Sequence, residues 1–274
     1  MAVALAVCTL PTLTTLATGD EPPDRSPITP PGRPQPADSP AEAQPPESEE
    51  SLLCRSRVKL HKIGLGLHTY HDKHGEFPAA ATVPPGGTHL VSWRVVLLPY
   101  LGHEQLYREY RMNEAWDSEH NRRLIEKIPD VYVTPTSKPL PKGRTSYVAP
   151  VSDVTLFPAS GPRGIQDCRD GTANTLLLVE ADTKHSVPWT KPEDLTFDEA
   201  DPFKGLIGHR RNSFVAMFAD GATAVIPRPL VTRDGMALGE QRSREILLNL
   251  FVPDDGRAIP VLDIAYGLVG LGEP

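Results

Sequence analysis

The 274-residue chain is poor in aromatic side chains, at 6%, and holds three cysteines, Cys8, Cys54 and Cys168. Their spacing fits no zinc-ligand pattern, and so few cysteines cannot staple a chain of this length. Cys54 and Cys168 either pair in an oxidising compartment or remain two buried thiols, and spacing does not choose between them. There is no basic excess either: 28 Lys and Arg face 35 Asp and Glu, a net charge of −7. Nucleic-acid binding needs the opposite balance, so DNA and RNA are set aside as partners. Also missing are a glycine-rich phosphate loop, a Gly-x-Ser-x-Gly elbow and a Cys–His nucleophile arrangement.

Charge is absent from the first nineteen residues, MAVALAVCTLPTLTTLATG. Ala2 to Ala17 has the length of a signal-peptide core and is too short to span a bilayer comfortably. Thr15-Leu16-Ala17 supplies small residues for cleavage, although a basic leader is lacking. Export to the periplasm or cell surface is the expectation, with residues 1–20 as a signal-like or membrane-proximal segment and the only membrane contact. Residues 21–50 then carry ten prolines and seven acids against two bases, so most of the net charge sits there. Such a segment has too little apolar surface to offset its ordering entropy and reads as a disordered tether. The folded domain is expected over 51–252, with a Pro/Gly-rich tail over 253–274.

Within that domain Leu60, Ile63, Leu67 and Tyr70 recur at helical spacing, Leu53 extends the stripe backward, and Gly75 is placed to end the helix. A second helix is expected over Trp93–Tyr110, broken near Pro99. A third spans Glu119–Lys127 behind Asp117 or Ser118, and a last covers Ser243–Phe251. Strands are expected at Val131–Val133, Ser146–Ala149 and Thr175–Ala181. SFVAMFADGATAVIP, residues 213–227, reads as a hairpin turning on Asp220-Gly221 in a two-residue type I′ turn. Phe214, Ala216 and Phe218 should face the core while Val215 and Met217 point away. Helices first and strands later give an α+β fold, an N-terminal helix on a mainly antiparallel sheet.

Several residues invite a site. His68, His71 and His74 follow one another every third position, a weak metal-ligand pattern. On a helix they spiral through about 120° and lack an HExxH arrangement, so helix-end histidines beside the negative dipole pole fit better. Asp167, Asp170 and Glu180 are acids around one strand. Asp170-Gly171-Thr172 reads as a turn, and Glu180, in an apolar run, must face solvent or meet a cation, a structural ion pair being the better fit. Ser92–Tyr100 and Trp116 read as packing anchors. No cofactor is expected.

Taken together, CRSRVKLHKIGLGLHTYHDKHGEFP, SWRVVLLPYLGHEQLY, NEAWDSEHNRRLIEKIP, DGTANTLLLVE, VPWTKPEDL and GHRRNSFVAMFADGATAVI resemble the large planctomycete family classed as domain of unknown function 1559. The resemblance implies a pilin-like or pseudopilin-like head with a C-terminal His…Asp-Gly signature, here His209 and Asp220-Gly221. It marks His68, Tyr70, His71, Pro78, Trp93, Pro99, Asp170, Gly171, Asn174 and Glu180 as structural signature positions. This chain differs in lacking a prepilin-type apolar helix and in one extra residue between His209 and Asp220. It also has Thr134-Pro135 where a cysteine commonly precedes the proline. His209 is expected at the sheet edge, bonded to the backbone near Asp220, with the extra residue forming a loop or bulge before Phe214. The expected role is non-enzymatic, in the cell envelope, with other envelope or pilin-like proteins as partners. The alternatives are a metal-assisted hydrolase using His68 and His71, or a solute-binding module.

Overall fold

The computed structural model describes residues 47–84, 87–232, 234–254 and 256. The signal-like segment and nearly all of the tether and the tail lie outside them. Helix α1 (Glu49–His74) opens two residues before the expected boundary. The Ser48 side chain accepts from the Ser51 N–H, and Glu49 and Glu50 sit at the positive end of the dipole. It stops where Gly75 takes φ 80° and donates its N–H to the His71 carbonyl. One stripe is buried, Leu52, Ser56, Lys59, Leu60, Ile63 and Leu67, whereas Leu53 is only half-buried at the core margin.

The expected second helix is divided into α2 (Trp93–Val96), a 3₁₀ turn at Leu98–Leu101 and α3 (Glu104–Glu109). Pro99 sits in the first turn of the 3₁₀ segment, which ends on Gly102 in the left-handed region. Helix α4 (Glu119–Leu124) is capped by Ser118 and runs on as 3₁₀ through Lys127. Helix α5 (Glu240–Phe251) starts three residues earlier than expected.

Among the described residues the strands are β1 (Ala81–Thr82), β2 (Val91–Ser92), β3 (Arg144–Thr145), β4 (Tyr147–Val148), β5 (Pro150–Val151), β6 (Leu176–Glu180), β7 (Val187–Pro188), β8 (Leu195–Thr196), β9 (Ser213–Phe218) and β10 (Thr223–Pro227). The central sheet has the order β10-β9-β6-β4 and is antiparallel throughout. Three two-stranded ladders, β1-β2, β3-β7 and the parallel β5-β8, surround it. The fold is α+β. Val131–Val133 is not a strand. Pro129 starts a 3₁₀ turn over Asp130–Tyr132, and the buried Tyr132 hydroxyl donates to the Arg94 carbonyl at 2.9 Å.

The sheet is covered on both faces, which corrects the expected inside and outside of β9. Val215 and Met217 pack with Leu60, Ile63 and Leu67 of α1. Phe214, Ala216 and Phe218 pack with Ile246, Leu247, Leu250 and Phe251 of α5. Every residue from Phe214 to Phe218 is therefore buried, and alternation is silent about which face meets water. Gly64 lets α1 lie close on the sheet, since a Cβ there would stand 2.5 Å from Met217 Sδ.

The hairpin tip differs from the two-residue form. Phe218 N–H bonds Ala222 O, and Gly221 N–H bonds Phe218 O at 2.9 Å, leaving Ala219, Asp220 and Gly221 as a three-residue loop. Gly221 has φ 85°, and no non-glycine residue among those described has positive φ. Asp220 therefore takes ordinary backbone geometry in a β-turn, and only the glycine occupies the left-handed position. The one irregularity of the central ladder falls in β6, between Leu176 and Leu178, and not before Phe214.

Candidate functional site

Three polar assemblies gather the motifs picked out by sequence. The first is buried beneath β4. Arg94, expected only as part of an apolar anchor, is fully buried, and its Nη2 lies 2.6 Å from Asp194 Oδ1. The guanidinium also donates to the Tyr147 carbonyl at 3.0 and 2.9 Å and to Ser92 Oγ at 3.1 Å. Asp194 further accepts from the Ala149 N–H at 2.7 Å and from the Trp93 indole at 3.2 and 3.1 Å. Burial pushes the Asp194 carboxyl up, and the Arg94 charge pulls it back. The pair has no open face and holds Ser92-Trp93-Arg94 against the Pro-Glu-Asp segment at 192–194. Sequence reasoning missed it. The one available signal was an arginine inside the apolar run SWRVVLL.

The second assembly centres on Glu180, 1% exposed and facing α1. Its Oε2 accepts from Arg210 Nη2 at 3.0 Å and from the hydroxyl of Ser56, which also meets the Tyr147 hydroxyl at 2.9 Å. Oε1 lies 2.9 Å from Arg210 Nη2 as an ion pair without a hydrogen bond. The cation partner is thus Arg210. His209 Nε2 stands 3.3 Å from Glu180 Oε1 and makes no hydrogen bond, while its Nδ1 lies 3.3 Å from Thr183 Oγ1. Burial lowers the His209 pKa, and Glu180 opposes that shift. The placement of His209 beside Asp220 is therefore corrected. The turn before β9 delivers it to the end of β6, on the opposite side of the hairpin from its tip.

The third assembly is the hairpin tip itself. Asp220 N–H bonds Thr172 O at 3.2 Å and Ala219 N–H bonds Thr175 O at 2.8 Å, so the tip docks on the turn that starts at Asp170. Gly171 takes φ 96° there, and Asn174 Nδ2 donates to the Asp170 carbonyl at 2.8 Å. Asp220 Oδ1 accepts from the Ala222 N–H, and His61 Nδ1 meets the Gly221 carbonyl at 3.1 Å. Asp167 caps the Gly164 N–H at 2.8 Å, so the three acids around β6 serve three separate jobs.

The helix-end histidines diverge. His68 lies edge-on to Phe77 with its Nε2 unpartnered. Its pKa is lowered, first by burial and then by neighbouring His71. His71 Nε2 accepts from the Ile165 N–H at 3.2 Å, and His74 stacks on Tyr70 at 4.1 Å and meets the Tyr100 hydroxyl at 2.9 Å. Pro78 is buried just past the helix end. Among the described residues no three His, Cys, Asp or Glu side chains are grouped to hold a metal. Cys54 is exposed and Cys168 buried, both as free thiols, and burial pushes the Cys168 thiol up to about 11.

One cleft opens beside the second assembly. It has a volume of about 400 Å³ and lies between the 136–138 turn and the 207–212 turn, with Thr183 at its margin.

A helix lying on a four-stranded antiparallel sheet, with two buried ion pairs beside Tyr147 of β4, defines an α+β domain. Residues 54–146 match a family model described as a protein of unknown function (DUF1559). That span runs from the second turn of α1 to the start of β4 and includes Arg94. Asp194, Glu180, His209 and the hairpin lie beyond it. No curated protein and no solved structure matches the chain.

Proposed function

We propose that this chain is an exported, pilin-like head domain, displayed through its N-terminal segment at the periplasmic side or the cell surface. It works by binding other envelope proteins and not by catalysis. The observation that carries the reading is the 26-residue helix α1 at the start of the domain, laid along an antiparallel sheet. Its N-terminus at Glu49 follows directly on the proline-rich acidic stretch. A long first helix on an antiparallel sheet is the arrangement expected of a pilin-like head, and α5 on the opposite face is an addition to it. The outward face of α1 supports a binding role: Val58 and Leu65 are 49% and 56% exposed, beside Arg55 and Lys62. No helix among the described residues is long and apolar enough to cross a membrane, so retention would rest on residues 1–20.

The test is cell fractionation combined with mass spectrometry of the mature N-terminus. An envelope or extracellular form beginning near residue 18 is expected. An intact Met1 form confined to the soluble cytoplasm overturns the proposal.

A further inference from the structure

The cleft beside His209 has a chemistry that the display of a head domain does not explain. Its floor is Arg210, 5% exposed, with one side of the guanidinium spent on Glu180 and on the Pro135 carbonyl at 3.3 Å. The Nε–H of Arg210 is buried and has no acceptor. A buried charged donor without a partner is costly, and such groups are normally met by water or a ligand. The walls carry the exposed cations Lys138 and Arg211 and the hydroxyl of Ser137. The nearby acids are engaged elsewhere: Glu47 with Arg55 and Ser51, and Asp182 with His185. Glu49 is exposed on the first turn of α1, in the adjoining groove. With His209 held neutral by burial, the three cations outweigh Glu180 and leave the cleft positive.

We infer that this cleft binds a tetrahedral oxyanion, as the phosphate or sulfate group of a small organic molecule. The group would seat between Lys138 and Arg211, over the guanidinium of Arg210. Donors arriving from two separate turns surround a tetrahedral group better than a planar carboxylate, which one Arg fork would satisfy. At about 400 Å³ the space exceeds a lone ion and fits a sugar-sized body, within the range of small-molecule sites. The inference is independent of export or display.

Isothermal titration of the full chain at low ionic strength provides the test, with inorganic phosphate, inorganic sulfate, a hexose phosphate and the neutral hexose as probes. Saturable binding of the phosphate or sulfate probes, weakened by added chloride, and none of the neutral hexose is expected. A hexose phosphate that binds more tightly than phosphate identifies the ester as the ligand. Equal affinity identifies the free ion. The Lys138→Ala/Arg211→Ala variant alters only exposed side chains, so its melting temperature should match the wild type. Its affinity should fall about tenfold or more. No saturable binding by any anionic probe overturns the inference, as does unchanged affinity in that variant.

Discussion

Replacing Asp194 with alanine should be among the most damaging single changes to this domain. The side chain is 1% exposed and faces a fully buried guanidinium at 2.6 Å. Its removal leaves the Arg94 charge without a counter-ion and deprives the Ala149 N–H and the Trp93 indole N–H of their acceptor. Breaking a buried pair from one side costs about 3–5 kcal/mol. Each orphaned buried donor adds about 1–3 kcal/mol if no water reaches it. The bonds Arg94 keeps to Tyr147, Ser92 and the Glu193 carbonyl moderate the loss, so about 4 kcal/mol is the working figure. That is a large share of the stability of an ordinary domain. Urea denaturation near neutral pH of wild type, Asp194→Ala, Arg94→Met and the double variant would measure it. The two single changes should each be severe, and the double should be far milder than their sum, because it removes both charges. A loss below about 1 kcal/mol for Asp194→Ala, or simple additivity in the cycle, would refute the reasoning.

Two further outcomes follow from the hairpin and the histidines. Gly221→Val puts a β-branched residue at φ 85° in the loop that docks on the 170–175 turn, so about 1–3 kcal/mol should be lost. Wild-type stability of that variant in the same urea assay would remove the left-handed turn from the account. His68 and His209 both have pKa values lowered from 6.5 by burial, so the unfolded chain takes up protons first. Their contribution is complete above pH 6.5 and is lost as the pH falls through that value toward their folded pKa values. The exposed glutamates with lowered values, such as Glu240, come into play only below 4.5. Thermal melting across this interval should show a decline that is shallower in His68→Gln/His209→Gln. An identical slope in that variant would contradict the assignment.

Much of the local structure could be read from the chain because it rests on local causes. The α1 stripe and Gly75 cap, the turn at Asp170-Gly171, β6, and the hairpin with Gly221 as its left-handed residue follow from periodicity and backbone sterics within a few residues. Glu180 was legible in part, since a carboxylate inside LLLVEA must face solvent or meet a cation, and only the fold buries it against Arg210. The exact turn type was not legible. Asp-Gly is compatible with both two- and three-residue loops, and docking on Thr172 and Thr175 selects the longer one. Val131-Tyr132-Val133 has strand composition, but the flanking Pro129 and the reach of Tyr132 to the Arg94 carbonyl fix a 3₁₀ turn.

By itself, then, the sequence determined the α+β class, the first helix and its end, the hairpin and the need of Glu180 for solvent or a counter-charge. These depend on side-chain period, on glycine conformation and on the cost of isolating a charge. Tertiary structure alone decided that α5 closes the second face of the sheet, burying Val215 and Phe214 alike. It decided that Arg94 meets Asp194 across a hundred residues, and that His209 turns toward Glu180 instead of Asp220. It also decided that three histidines in one helix find three different neighbours. The physical reason is the same in each case. Burial and electrostatic pairing are set by which segments come together in space, and a one-dimensional pattern records that a partner is needed without recording which one.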